Sequence, residues 1–157
     1  MAYIMKGKDT VSGQLAECYV TIDGIRYNFM QAINFEATFE KNKTEVPILG
    51  KTGKGNKANG WSGTGSMTCH YNQSVMRKLA EKYKDDAIDT YFTMEVTNED
   101  KTSATGKQTV IFMDCNFDNM IIAKYDADAD YLDEDFDFTF EDFKIKESFK
   151  ELDGFVL

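Results

Sequence analysis

The sequence predicts a mainly β, largely antiparallel protein with about seven strands and one helix. Three observations lead there. Stretches 32–46, 62–71 and 134–145 alternate apolar and polar side chains, the two-residue period of a strand with one dry face. One stretch, 72–86, instead repeats its apolar residues at helical spacing. Asp23-Gly24 stands between two runs of strand formers, a two-residue hairpin signal.

Taken in order, residues 1–11 read as a loose N-terminal arm. Tyr19, Val20 and Ile22 lead into the Asp23-Gly24 turn, and Ile25, Tyr27 and Phe29 leave it. In 32–46, Phe35, Ala37 and Phe39 share one face, opposite Glu36, Thr38, Glu40, Asn42 and Thr44. A glycine-rich, basic stretch over 50–61 reads as a mobile loop. Residues 62–71 place Met67, Cys69 and Tyr71 opposite Ser66, Thr68 and His70. The helix is capped by Asn72 or Ser74 and buries a stripe of Val75, Met76, Leu79, Ala80 and Tyr83. Strands follow at 90–97, 107–117 and 119–125. Residues 134–145 form another, with Phe136, Phe138 and Phe140 on one face and Asp135, Asp137, Thr139 and Glu141 on the other. The apolar phase then slips to Phe143 and Ile145, which predicts a bulge near Glu141 or Asp142. The C-terminal arm, 146–157, is a short helix or an extended tail.

Bulk properties limit the function. A length of 157 residues and no sign of a linker indicate a single domain, 1–157. The net charge of −9 disfavours gripping nucleic acid, which needs clustered Lys and Arg. Three widely spaced cysteines, with no C-x-x-C, give neither a disulfide framework nor a structural zinc site. His70 is the single histidine, and it neighbours Cys69, but adjacent strand residues point to opposite faces. The N-terminus lacks the apolar stretch of a signal peptide, and no run reaches transmembrane length. The expectation is synthesis in the cytoplasm without membrane insertion.

Three stretches imitate chemical motifs. Gly50-Lys51-Thr52 supplies the end of a phosphate-binding loop, but Glu45 stands where its first glycine belongs, Pro47 removes an N–H, and no helix follows. Asp126, Asp128 and Asp130 match the start of a calcium loop, whose later Gly and Glu are replaced by Tyr131 and Asp137. The carboxylates of 133–142 lack any implied cleft for glycosidase work. No catalytic residue, metal site or cofactor is assigned. A calcium- or carbohydrate-binding β-sandwich stays open as an alternative.

The pieces "INFEATFEKNKTEVPILGK", "SGTGSMTCHY", "YFTMEV" and "VIFMDCNFDNMIIAKYDADADYLDEDFDFTFEDF" occur in that order. Together they resemble the tail tube protein of contractile phage tails, in the PBSX-like prophage form also used by contractile bacteriocins. The resemblance spans about Gly13 to Phe143. It implies an antiparallel β-sandwich or barrel-like subunit with a flanking helix, a structural role and no catalysis. It further implies hexameric rings, each subunit giving long hairpins to a β-barrel channel, stacked inside a sheath between baseplate or initiator and terminator proteins. A loop between wall strands then reaches the adjacent ring. On that reading 50–61 is the stacking loop, with Lys51, Lys54 and Lys57 meeting acidic surface and Trp61 anchoring its base. The lumen face is Glu36, Thr38, Glu40, Asn42, Ser66, Thr68, His70, Asp135, Asp137, Thr139 and Glu141. Its carboxylates let DNA or an acidic cargo pass without specific binding. The particle is a virion tail or a released tail-like particle, and the tube of a type VI-like injection system is a further alternative.

Overall fold

The computed structural model describes residues 3–157; the first two residues of the predicted arm lie outside the described residues. The elements are β1 (Ala16–Ile22), β2 (Ile25–Asn28), β3 (Ala32–Pro47), β4 (Lys54–His70), α1 (Val75–Asp86), β5 (Phe92–Glu99), β6 (Lys107–Phe117), β7 (Asp133–Phe140) and β8 (Asp142–Glu147). All strand pairs are antiparallel. The predicted mainly β class with one helix therefore holds.

The strands form two sheets that share β6. A body sheet runs β2-β1-β5-β6, with β8 on the far side of β6; a hairpin sheet runs from the end of β6 through β7 and β4 to β3. One core fills the space between them. Val20, Ile22, Met94 and Phe112 enter from the body sheet, and Met67, Phe136, Phe138 and Phe140 from the hairpin sheet. Aromatic rings lock the two layers: Phe35 and Phe140 lie 5.5 and 5.0 Å from Phe112, centroid to centroid. At the β1–β2 turn Asp23 and Gly24 both take positive φ (50° and 79°), the left-handed geometry that an Asp-Gly pair adopts at low cost.

Several boundaries differ from the sequence expectation. The 134–145 strand is two strands, because at Glu141 the chain leaves the hairpin sheet and joins the body sheet as β8. The Glu141 N–H donates to the Met113 carbonyl at 3.2 Å. The predicted bulge is thus a corner between sheets, which explains the phase slip. Residues 119–125 are not a strand despite their apolar character. Side chains hold them instead: Asn119 accepts from the Asp137 N–H, and Arg77 donates to the Ile121 carbonyl. The described part of the N-terminal arm is tied to the body by hydrogen bonds, although residues 3–8 are exposed. Gly7–Asp9 form a 3-10 turn, buried Asp9 accepts from the Lys6 N–H at 2.9 Å, and the Ala104 N–H donates to the Lys8 carbonyl. In α1, Ser74 occupies the N-cap without a side-chain cap bond. Val75, Met76 and Leu79 lean on the core, while Tyr83, expected in that stripe, is exposed. The C-terminal arm holds β8 to Glu147 and then turns without a helix.

Candidate functional site

The hairpin of β3 and β4 is the dominant feature. The predicted loop over 50–61 is mostly strand, since β4 starts at Lys54 and pairs with β3 up to Pro47. The turn is confined to 48–53 and closed by the Lys51 N–H on the Ile48 carbonyl at 3.2 Å. Backbone pairing with a full partner strand explains the extension: a glycine-rich sequence has low strand propensity, and the ladder overrides it.

Pairing register assembles the predicted polar face. Glu36, Ser66 and Asp137 form one row across three strands, and Thr38, Thr64 and Thr139 the next. Thr68 pairs with Asp135, and its hydroxyl donates to the carboxylate at 2.6 Å. Glu40 pairs with Ser62 and Asn42 with Gly60, while His70 pairs with Asp133 at the end of β4. Ten of the eleven predicted wall residues thus share one surface; Glu141 lies outside the ladder, at the corner. Rows 34–40, 62–68 and 135–139 carry four carboxylates and no Lys or Arg.

The reverse face explains two glycines. Gly63 pairs with Phe140 and Gly65 with Phe138. A Cβ on Gly65 would lie 2.3 Å from the Phe138 ring and 2.8 Å from the Glu36 carbonyl oxygen; one on Gly63 would lie 2.4 Å from the Phe140 ring. These glycines are spaces filled by phenyl rings. Trp61 begins the same face, stacked on Phe39 at 5.0 Å and edge-on to Phe143. It sits where the ribbon leaves the body. Beyond it Gly60 takes φ 145°, and the register slips between Asn42 and Lys43. That bulge needs glycine and increases the local twist.

Past this point the ribbon lies free. From Lys54 to Ser62 it extends about 30 Å at ~3.3 Å per residue. Lys51, Lys54 and Lys57 are all exposed, and Lys54 makes one surface pair with Glu45 at 3.6 Å. Sequence reasoning missed Ile48 and Leu49 at the tip, which are 47% and 104% exposed. Two adjacent apolar residues in a polar turn were the available signal. It also missed the packing role of Gly63 and Gly65, visible as a two-residue glycine spacing matching that of Phe138 and Phe140.

The three chemical imitations take structural settings of their own. Burial pushes the thiols of Cys18, Cys69 and Cys115 up to about 12, so none forms a thiolate near neutral pH. Cys69 faces the core, while exposed His70 pairs edge-to-face with Tyr131. Lys51 and Thr52 sit in a hairpin turn followed by a strand, without the helix N-terminus a phosphate loop uses. Asp126 accepts from the Asp128 N–H at 3.0 Å, a local turn, and the described residues hold no cluster of three metal-binding side chains. A cleft of about 720 Å³ opens between the sheets, lined by Phe35, Val96 and Phe112, with Glu17 its one carboxylate.

This arrangement has counterparts. The fold matches a chain of the sheath-tube complex of an extracellular contractile injection system, PVC, with a TM-score of 0.64 at 6% identity over 87% of this chain and 91% of the other. It matches the tail tube of SPP1 with a TM-score of 0.62 at 10% identity over 87% and 78%. In sequence, the chain is 36% identical to the phage-like element PBSX protein XkdM of Bacillus subtilis (strain 168), covering 91% of this chain and 95% of that protein. A family model described as phage tail tube protein matches residues 3–147, and with this relative it shows that the chain belongs to the phage tail tube protein family.

Proposed function

We propose that this chain is a non-catalytic wall subunit of a contractile tail tube, made in the cytoplasm and assembled into a virion tail or a released tail-like particle. The observation that carries this is the β3–β4 hairpin. It continues a polar, carboxylate-bearing face across β7 and has an unpaired outer edge along β3. An isolated sheet with so long a free edge invites pairing with another chain. Closing six such sheets into a ring covers the free edge of β3 with a neighbouring copy. The face bearing Glu36, Glu40, Asp135 and Asp137 then lines a negative channel that repels DNA or an acidic cargo from its wall. Phe35, Met67 and Phe136 form the dry layer behind it, as the core position of Met67 and Phe136 supports.

The free ribbon is the ring-to-ring contact. A two-stranded ribbon is marginal alone in water, so its stable place is against another subunit. Sheath, baseplate and terminator proteins are the remaining partners of such a tube.

Negative-stain microscopy of the purified chain across rising concentration tests the reading. Hollow tubes are expected from the intact chain. A variant with 48–53 replaced by an Asn-Gly turn is expected to stop at rings or monomers. Monomers from the intact chain at every concentration, even with added tail initiator, overturn it.

A further inference from the structure

The acidic motif at 126–130 is left without a role by the wall and the hairpin. Its place in the fold gives it one. β4 runs 17 residues from Lys54, beside the hairpin tip, to His70, which pairs with Asp133. The Tyr71 N–H donates to the Leu132 carbonyl, and the Lys124 ammonium donates to the Asp133 carbonyl at 2.9 Å. Residues 124–133 therefore form a closed loop at the end of the hairpin sheet opposite the tip. The two ends lie about 55 Å apart at ~3.3 Å per residue.

The two ends have matching chemistry. Tip residue Leu49 is fully exposed beside Lys51 and Lys54. Loop residues Tyr125 and Tyr131 are 93% and 65% exposed, with Ile122 nearby at 62%, and they flank Asp126, Asp128 and Asp130. Residues 40–62 hold five lysines against two glutamates, a surplus of three positive charges, so the remainder of the chain carries twelve net negative charges. The groove beside α1 is a poorer acceptor, because Arg77, Lys78 and Lys84 line it.

We propose that the 124–133 loop is the acceptor for the hairpin tip of a second copy. Leu49 packs between Tyr125 and Tyr131, and Lys51 and Lys54 face Asp126, Asp128 and Asp130. Donor and acceptor are different surfaces at opposite ends of one strand. The contact is heterologous, repeats without closing, and makes an open, polar filament. The charges set orientation and encounter rate, and the apolar contact holds the joint. This inference rests on the ring-stacking reading above and names the surface that reading leaves open.

The test uses the full chain. The variant K51E/K54E/K57E and the variant D126K/D128K/D130K are each expected to raise the concentration at which tubes appear by about tenfold or more. One chain carrying all six changes is expected to return to within about twofold of the unaltered chain. All six positions are exposed, and unchanged circular dichroism confirms that the variants fold. In parallel, a chain with Leu49→Cys and Tyr125→Cys is oxidised after assembly. A ladder of covalent oligomers beyond dimer is expected, with none from either single variant. Tubes that form normally yet give no ladder and no charge rescue overturn this acceptor and leave the tube reading standing. Failure of the unaltered chain to form tubes with initiator present overturns both.

Discussion

Strands β3 and β4 pass through two environments while keeping one ladder. In the inner half, from Asn34 to Phe39 and from Gly63 to Thr68, one face is dry and the other wet. In the outer half, from Glu40 to Pro47 and from Lys54 to Ser62, side chains are exposed on both faces apart from the half-buried Val46 and Gly55. Backbone pairing is similar in both, so hydrogen bonding does not distinguish them. The difference lies behind the sheet: phenyl rings back the inner half, and among the described residues no large side chain backs the outer half beyond Trp61 and Phe143. The inner half is held by the chain's own core. The outer half has no such backing among the described residues.

Substitutions test that contrast. The largest loss of monomer stability is expected from Phe138→Ala, about 4 kcal/mol by urea unfolding, because Phe138 is fully buried. A loss below about 1 kcal/mol would mean that the ring is not the wall's main support. Next comes one substitution placed in both halves. Gly65→Ala is expected to cost about 3 kcal/mol, since the new methyl meets a ring and a backbone carbonyl that cannot step aside. Gly55→Ala meets the Ile48 side chain at 3.5 Å and the Val46 carbonyl oxygen at 3.7 Å, both ordinary contacts, and is expected to stay within about 0.5 kcal/mol of the unaltered chain. Equal costs would erase the distinction. Trp61→Ala, at the border, is expected to fall between them at about 2 kcal/mol through its lost contacts with Phe39 and Phe143.

Acid gives a smaller, directional effect. The body holds Asp100 at 5% exposure, whereas Glu40 and Glu45 of the ribbon are open to water. The Thr102 hydroxyl, then the Ser12 and Thr102 N–H groups, hold the Asp100 carboxyl below its usual range. A folded-state value below the unfolded one means stabilisation fully present above the unfolded pKa near 4 and lost as pH falls through the folded value. Asp100→Asn is expected to lower the thermal midpoint at pH 7, with the difference shrinking at low pH. A difference that grows on acidification would contradict this assignment. In the isolated subunit, amide exchange is expected to be fast from Thr44 to Gly60 and slow from Gly63 to Cys69, and assembly should protect both.

Much of this was legible in sequence. Period two in 32–46 and 62–71 located two strands of the hairpin sheet and their polar face, because a half-buried sheet must alternate. The glycine-rich segment misled, since composition reports the cost of ordering a chain and not whether a partner strand offsets it. Residues 119–125 misled in the opposite sense, because apolar β-formers become a strand only where an edge is open to them. The corner at Glu141 left a visible trace, the phase slip from Phe140 to Phe143, but alternation alone cannot tell a bulge from a change of sheet. Ile48 and Leu49 are two adjacent apolar residues in a turn and carry no period, so alternation does not mark them. Their exposure became informative only once the ribbon was known to project.

The corner at Glu141 also has a mechanical consequence. β7 ends at Phe140 and β8 begins at Asp142, and β6 likewise spans both sheets. With a single residue between them and a second strand bridging the same gap, the two layers have no hinge. Shear between them would have to stretch covalent chain. A load applied along the wall therefore passes directly into the body, and the subunit behaves as a stiff block. In the proposed stack of such blocks, compliance would reside in the joints, where a slender ribbon can flex and twist, so a long column would bend at its seams while its bore kept its diameter.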